Sequence, residues 1–146
     1  MKKILLMAVV AIGFAACKNA DQRAAGKLTD EQKKNALKDS SNFTAIEWLD
    51  STYKDLGQVK EGDVVAVSYR FKNSGNHNLI ISDVSAECGC TTPDKPQEPI
   101  APGKEGVIKA KFNSENKMGE NQKHVYVLAN TLPNSTTLAF HVTVTK

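Results

Sequence analysis

The chain has 146 residues, of which 40% are hydrophobic, and a formal net charge of +3 at pH 7. This length fits one folded domain with an additional segment. Nucleic-acid-binding domains carry a strong positive charge concentrated on one surface. The small net charge therefore predicts no nucleic-acid partner.

The N-terminus has the pattern of a secretion signal. Lys2 and Lys3 form a short basic start, and an apolar run without any charge follows from Ile4 to Ala16. This run is too short to span a bilayer, which requires about 20 apolar residues. Residues 1–16 are therefore predicted to be a cleavable signal peptide that takes no part in the fold.

The end of this segment places a cysteine at the expected cleavage point, in the order Phe14-Ala15-Ala16-Cys17. The pattern resembles a bacterial lipobox, whose cysteine is lipid-modified and becomes the mature N-terminus. Phe14 replaces the usual Leu, so cleavage by ordinary signal peptidase is the alternative. Lipidation of Cys17, for example with palmitate, is therefore predicted to anchor the protein in the cell envelope, facing the periplasm or the cell surface. Two or more acyl chains hold a protein firmly on a membrane.

The next segment, residues 17–42, is polar and rich in lysine, with Leu28 and Leu37 as its large apolar side chains. Such a composition does not offset the entropy lost on ordering. We therefore predict a flexible tether over 17–42. A short helix over 29–39 is expected within it, with Thr29 or Asp30 as its N-cap.

From Phe43 onward apolar and polar residues alternate, which is typical of half-buried strands. The alternating segments are Thr44–Trp48, Tyr53–Val59, Val64–Lys72, Leu79–Ala86, Val107–Asn113, His124–Ala129 and Leu138–Thr145. The spacing from Ile81 to Val84 interrupts the alternation and predicts a bulge. Thr91–Gly106 contains four prolines and is expected to be a loop or an edge segment.

These segments predict an all-β fold over residues 43–146. Seven or so short strands with turn residues between them indicate an immunoglobulin-like sandwich of two antiparallel sheets. The alternating residues are expected to form one core between the sheets. Its predicted large members are Tyr69, Phe71, Ile108, Phe112 and Phe140.

Cys88-Gly89-Cys90 is the feature that a β-sandwich does not require. Once Cys17 is acylated, these are the two remaining cysteines, in a compartment that favours disulfides. In an extended strand their Cα atoms would be about 6.6 Å apart, near the limit for a disulfide. Closure would therefore require Gly89 to bend the chain.

Three interpretations of Cys88 and Cys90 remain open. They are small packed side chains or a local structural disulfide, a pair that cycles between dithiol and disulfide, or two thiolates that bind a soft ion such as copper or zinc. A zinc site would need further ligands, for which His77, His124 or another subunit are the candidates.

The remaining residues show no conventional catalytic pattern. The sequence lacks a Ser/His/Asp order, an HExxH motif, a P-loop and a Rossmann glycine pattern, so no enzyme activity is expected. His77 is predicted to lie in a turn, and His124 and His141 on solvent faces. Ser51, in Asp50-Ser51-Thr52, fits a short motif for bacterial envelope O-glycosylation.

The motifs YRFKNSGNHNLIISDVSAECGCTTP and EPIAPGKEGVIKAKFNSENKMGENQKHVYVLAN resemble a bacterial lipoprotein family of unknown function with an immunoglobulin-like domain. Members carry an SCGCT-like motif and a P-I-x-P-G loop, and the resemblance runs from Asp55 to Val144. Here Glu87 replaces the usual Ser, and Tyr53–Gly57 replaces a His-Asp-Phe-Gly run. The residues on the family pattern are Phe71, Asn73, Gly75, Cys88, Cys90, Thr91, Pro99, Ile100, Pro102, Gly103, Phe112, Lys117, Gly119 and Lys123.

The resemblance implies an envelope location and an immunoglobulin-like fold, and it implies no catalytic role. We therefore expect a membrane-anchored, non-enzymatic binding or scaffold module that binds a protein or a glycan through sheet edges or loops. The alternative is a soft-metal or thiol redox protein that uses Cys88 and Cys90.

Overall fold

The computed structural model describes residues 26–146. The signal peptide predicted for residues 1–16, and Cys17, lie outside the described residues. Ahead of the strands come helix α1 (Asp30–Ala36) and a 3-10 turn (Ser40–Asn42). The strands are β1 (Ile46–Trp48), β2 (Tyr53–Lys60), β3 (Val64–Asn73), β4 (Ile81–Ala86), β5 (Thr91–Asp94), β6 (Glu105–Asn113), β7 (Gly119–Ala129) and β8 (Ser135–Thr145).

The strands form two four-stranded sheets, in the orders β1-β3-β6-β5 and β2-β8-β7-β4. The predicted two-sheet sandwich is therefore confirmed. Strand β5 is the edge segment predicted within Thr91–Gly106. One pair, β2 and β8, is parallel, although antiparallel pairing was expected throughout. The alternation of apolar residues reports which face of a strand is buried, and it carries no information about the direction of the neighbouring strand.

One hydrophobic core fills the space between the sheets. Its five predicted large members, Tyr69, Phe71, Ile108, Phe112 and Phe140, are all fully buried in the same cluster. The rings of Phe112 and Phe140 meet edge to face with their centroids 5.8 Å apart. The predicted bulge is also present, as a register shift between Ile81 and Asp83.

The helix predicted within 29–39 is present as α1, and Thr29 is its N-cap, in a capping box with Gln32. The helix lies beside β4. Lys33 is buried, with Nζ 3.5 Å from Oε1 of Gln97. The flexibility predicted for residues 17–42 stays a prediction. Within residues 26–146, no helix is long and apolar enough to cross a membrane.

Candidate functional site

Strand β1 lies at an edge of its sheet and directs part of its backbone away from β3. The N–H of Leu49 donates to the carbonyl of Arg70 at 2.9 Å, and the N–H of Ser74 donates to the carbonyl of Ala45 at 3.0 Å. Because bonding direction alternates along an antiparallel strand, the backbone groups of Ile46 and Trp48 point to the opposite side. That side of β1 is a sheet edge with free hydrogen-bonding capacity.

An apolar groove of about 500 Å³ lies against this segment. Phe43, Ile46 and Trp48 line it from the β1 segment, and Leu132 and Pro133 line it from the β7–β8 connection. The side chain of Leu132 is 80% exposed. A groove of this size with apolar walls has the dimensions of a binding site.

The core and the buried polar network hold the groove in place. The ring of Trp48 packs edge to face on Phe71, with centroids 5.5 Å apart. The N–H of Thr44 donates to the carbonyl of Asn130 at 2.9 Å, and the Thr44 hydroxyl donates to Oδ1 of Asn73 at 2.9 Å. These contacts join the β1 segment to both sheets, so the groove is preorganised.

This groove was not predicted from the sequence. Leu132 lies among turn-forming residues in Asn130-Thr131-Leu132-Pro133. A large apolar residue in such a turn was the one sequence feature that could have indicated an exposed apolar contact. Nothing in the linear sequence indicated that Leu132 lies beside Phe43 and Trp48, since more than 80 positions separate them along the chain.

The other edge strands carry features that hinder pairing with another chain. Strand β2 has a bulge between Asp55 and Gln58, β4 lies beside α1, and β5 contains Pro93, which has no N–H to donate. Bulges, covering elements and proline protect sheet edges. Strand β1 contains no proline and pairs with β3 without a bulge.

At the opposite end of the sandwich, a disulfide joins Cys88 and Cys90. Their Cα atoms are 5.2 Å apart, closer than in an extended strand, because the chain turns at Gly89. The N–H of Thr91 donates to the carbonyl of Cys88 at 3.2 Å and closes this turn. Both cysteines are half-buried, and Cys90 packs against the hydrophobic core.

The side chain of Thr91 lies beside both sulfurs. Its hydroxyl lies 3.8 Å from Sγ of Cys88 and 4.0 Å from Sγ of Cys90. The residue is buried, at 4% exposure. From the sequence, Thr91 was identified only as part of the family pattern, because a threonine next to a cysteine is not a distinctive motif.

Each of the three histidines bonds to a different partner. Nδ1 of His124 is 3.0 Å from Oε2 of Glu87, and this hydrogen bond lowers the pKa of Glu87. Nδ1 of His141 is 3.5 Å from Oδ1 of Asp55; the pKa of Asp55 is lowered first by the Gly57 N–H and then by His141. His77 is exposed, with Nδ1 3.3 Å from the carbonyl of Phe43.

These histidine positions do not add ligands to a copper or zinc site at Cys88 and Cys90. In the part of the chain that the structure describes, no three His, Cys, Asp or Glu side chains group to hold a metal ion. A disulfide also has no thiolate to offer a soft metal. Metal binding at Cys88 and Cys90 would therefore require reduction of the bond, and a zinc ion would also require ligands from another molecule.

Ser51, the predicted glycosylation site, is exposed in the connection between β1 and β2. Its hydroxyl accepts a hydrogen bond from the N–H of Tyr53 at 3.2 Å. Modification of Ser51 stays a prediction.

Solved structures with similar folds come from several organisms. A protein of unknown function from Porphyromonas gingivalis W83 is 15% identical, with a TM-score of 0.63 over 72% of this chain and 49% of that chain. The ASH / PapD-like domain of human CEP192 is 8% identical, with a TM-score of 0.56 over 72% of this chain and 88% of that chain. The VesB protease of Vibrio cholerae is 10% identical, with a TM-score of 0.51 over 77% of this chain and 35% of that chain.

At these identities the likeness shows the fold alone, and it confirms the predicted immunoglobulin-like class. The chain spans about half the length of the Porphyromonas gingivalis protein. No curated protein sequence matches the chain.

A family model described as "Protein of unknown function (DUF1573)" matches residues 46–144, from the first residue of β1 to near the end of β8. The match covers more than half of the chain and includes the Cys88–Cys90 turn and the edge strand β1. The chain therefore belongs to the DUF1573 family.

Proposed function

We propose that the chain is a lipid-anchored, non-enzymatic binding module of the bacterial cell envelope, and that it captures an extended polypeptide segment as an additional strand beside β1. The observation that carries this proposal is the outward backbone of Ile46 and Trp48 next to an apolar groove. Strand addition of this kind combines main-chain hydrogen bonds with pockets for alternate side chains.

The ligand's backbone would bond to the N–H and C=O groups of Ile46 and Trp48. Every second side chain of the ligand would then point toward the groove, where Trp48 and Leu132 provide apolar contact. Strand β1 has three residues, so the main-chain bonds are few. Most of the affinity is expected from the apolar side chains, as at other interfaces with a small buried anchor.

A polypeptide fits this surface better than a glycan, the other predicted partner class. An extended peptide repeats one donor and one acceptor per residue at the spacing of a strand edge. Apolar ligand side chains also match the walls formed by Phe43, Ile46 and Trp48. A glycan presents hydroxyl groups without the regular alternation of donors and acceptors of a strand edge, so fewer of them would be paired when they lose water in this groove.

Trp48 provides a direct assay because it is the one tryptophan in the chain and lines the groove. Linear peptides selected from a random phage-displayed library would be titrated against the chain while Trp48 fluorescence is recorded. Leu132→Asp places a charge at the groove rim. Val64→Asp is the matched control, since Val64 is a 64% exposed aliphatic residue at the other end of β3.

We expect selected peptides with apolar residues at every second position, a shift in Trp48 emission on binding, and affinity reduced by about tenfold or more in Leu132→Asp. Val64→Asp should bind as the unaltered chain does. Selected peptides that bind both variants equally, or bind without changing Trp48 emission, would show that the ligand lies elsewhere. Binding of envelope polysaccharide with the same dependence on Leu132 would favour a glycan.

The proposed anchor is Cys17, supported by its position after Phe14-Ala15-Ala16. Cells supplied with an alkyne-tagged fatty acid should label the full chain, and Cys17→Ser should remove both the label and retention in the membrane fraction. An unlabelled chain with an unmodified N-terminal residue would instead indicate cleavage by ordinary signal peptidase.

A further inference from the structure

The Cys88–Cys90 disulfide closes a ring across a single intervening residue. Such a small loop removes little conformational entropy from the unfolded chain, so the bond adds little to stability. The turn also has its own backbone bonds, from the Thr91 N–H to the Cys88 carbonyl at 3.2 Å and from the Asn113 N–H to the Cys90 carbonyl at 2.8 Å. The fold is therefore compatible with both the disulfide and the dithiol.

The two sulfurs have different surroundings. Cys90 packs against the hydrophobic core, whereas Cys88 follows Glu87, whose side chain is 45% exposed and bonds to His124. Because Cys90 packs against the core, Cys88 is the sulfur that an attacking thiolate would reach. The Thr91 hydroxyl lies 3.8 Å from Sγ of Cys88 and 4.0 Å from Sγ of Cys90. It can therefore donate a hydrogen bond to a thiolate at Cys90 when that sulfur is the leaving group, after a small side-chain movement.

We infer that the Cys88–Cys90 pair is a thiol–disulfide exchange site that accepts electrons from a dithiol, a function separate from peptide capture at β1. Its substrate class is a protein or small-molecule dithiol. A half-buried disulfide that adds little to stability lies here beside the buried hydroxyl of Thr91.

The exchange reaction proceeds in two steps. A thiolate of the dithiol attacks Sγ of Cys88, the bond between the two cysteines breaks, and its electron pair leaves on Sγ of Cys90, which takes up a proton. The second thiol of the substrate then loses its proton and attacks the mixed disulfide. Cys88 is released and protonated, so the substrate becomes a disulfide and the Cys88–Cys90 pair becomes a dithiol.

The test uses the full chain with Cys17→Ser, so that Cys88 and Cys90 are the remaining cysteines. Reduced, unfolded ribonuclease is the dithiol probe, and maleimide labelling reports the thiols of both proteins. We expect the chain to oxidise ribonuclease stoichiometrically, at least about tenfold faster than a Cys88→Ala/Cys90→Ala control. The reduced chain should keep its cooperative unfolding.

Two further comparisons assign the roles of the residues. With oxidised glutathione, Cys90→Ser should form a mixed disulfide at Cys88 faster than Cys88→Ser forms one at Cys90. Thr91→Val should slow ribonuclease oxidation by about tenfold through loss of one hydrogen bond to the leaving thiolate. The exposed neighbour Thr92 is the control, and Thr92→Val should leave the rate unchanged.

Two results would overturn the inference. One is unfolding of the chain when the disulfide is reduced, since the bond would then be required for the stability of the fold. The other is ribonuclease oxidation at the rate of the double-alanine control. Equal rates for Thr91→Val and Thr92→Val would remove Thr91 from the proposed mechanism.

Discussion

Gly75 lies so close to Thr44 that a Cβ at position 75 would be 2.2 Å from the Thr44 hydroxyl oxygen and 2.6 Å from the backbone nitrogen of Ala45. The glycine of the Asn73-Ser74-Gly75 motif therefore allows the β1 segment to approach the β3–β4 connection. This approach sets the position of β1 and, with it, one wall of the groove.

The first prediction concerns this contact. Gly75→Ala should destabilise the domain by about 2 to 4 kcal/mol, because the clash involves backbone and the β1 segment must move. Gly89→Ala is the control, since a Cβ there meets no atom within 4 Å, and it should change stability by less than about 0.5 kcal/mol. Urea unfolding followed by Trp48 fluorescence measures both. A Gly75→Ala domain as stable as the control would contradict the assigned role.

The second prediction concerns Asn73, which is completely buried. Its Oδ1 accepts from the Thr44 hydroxyl and the Gly75 N–H, and its Nδ2 donates to the carbonyls of His77 and Ile100. Asn73→Ala leaves these groups without their partner, so a loss of about 2 to 4 kcal/mol is expected.

Asn76, exposed in the same connection, is the matched control for Asn73. Asn76→Ala should remain within about 0.5 kcal/mol of the unaltered chain in denaturant unfolding. Similar losses in the two variants would mean that the buried network is not what stabilises this connection.

The third prediction concerns alkaline pH. Burial raises the pKa of Tyr69 to about 12, whereas a tyrosine in the unfolded chain has a pKa of about 10. Between these values the unfolded state releases a proton that the folded state keeps, so stability is lost as the pH rises from about 10 to about 12. The loss should reach about 2 to 3 kcal/mol.

Tyr69→Phe separates this effect from the ionisation of lysines, which both proteins share. The variant lacks the hydrogen bond of 2.8 Å to the Ala139 carbonyl, so it should be less stable at pH 8 by about 1 kcal/mol. Its further loss on raising the pH should be smaller than that of the unaltered chain. Parallel losses in the two proteins would show that Tyr69 does not titrate as described.

The fourth prediction concerns the segment before the sandwich. Deletion of residues 18–42 should leave a cooperatively unfolding domain, because the core residues all follow position 66. The deletion removes α1 from β4 and the acceptor carbonyl of Asn42 from Asn130, so a moderate loss of stability is expected. Loss of the cooperative transition in thermal unfolding would mean that 18–42 belongs to the domain rather than to a tether.

The sequence by itself determined which large apolar side chains form the core. Alternation along β3, β6 and β8 identified the core members Tyr69, Ile108 and Phe140, because a strand places every second side chain on the same face. Proline placement likewise excluded a central strand over Thr91–Gly106 and left a loop or an edge segment, and β5 is that edge segment. Capping signals identified the position of α1, since an N-cap depends on residues close together in the chain.

Only the tertiary structure decided what depends on contacts between distant segments. It determined that β2 runs parallel to β8, that Asn73 is buried rather than an exposed turn residue, and that Leu132 and Trp48 line one groove. Each of these facts depends on which strands become neighbours. Alternation specifies the buried face of a strand, but strand order and direction arise from how both sheets share one core and from how the connections cross between them.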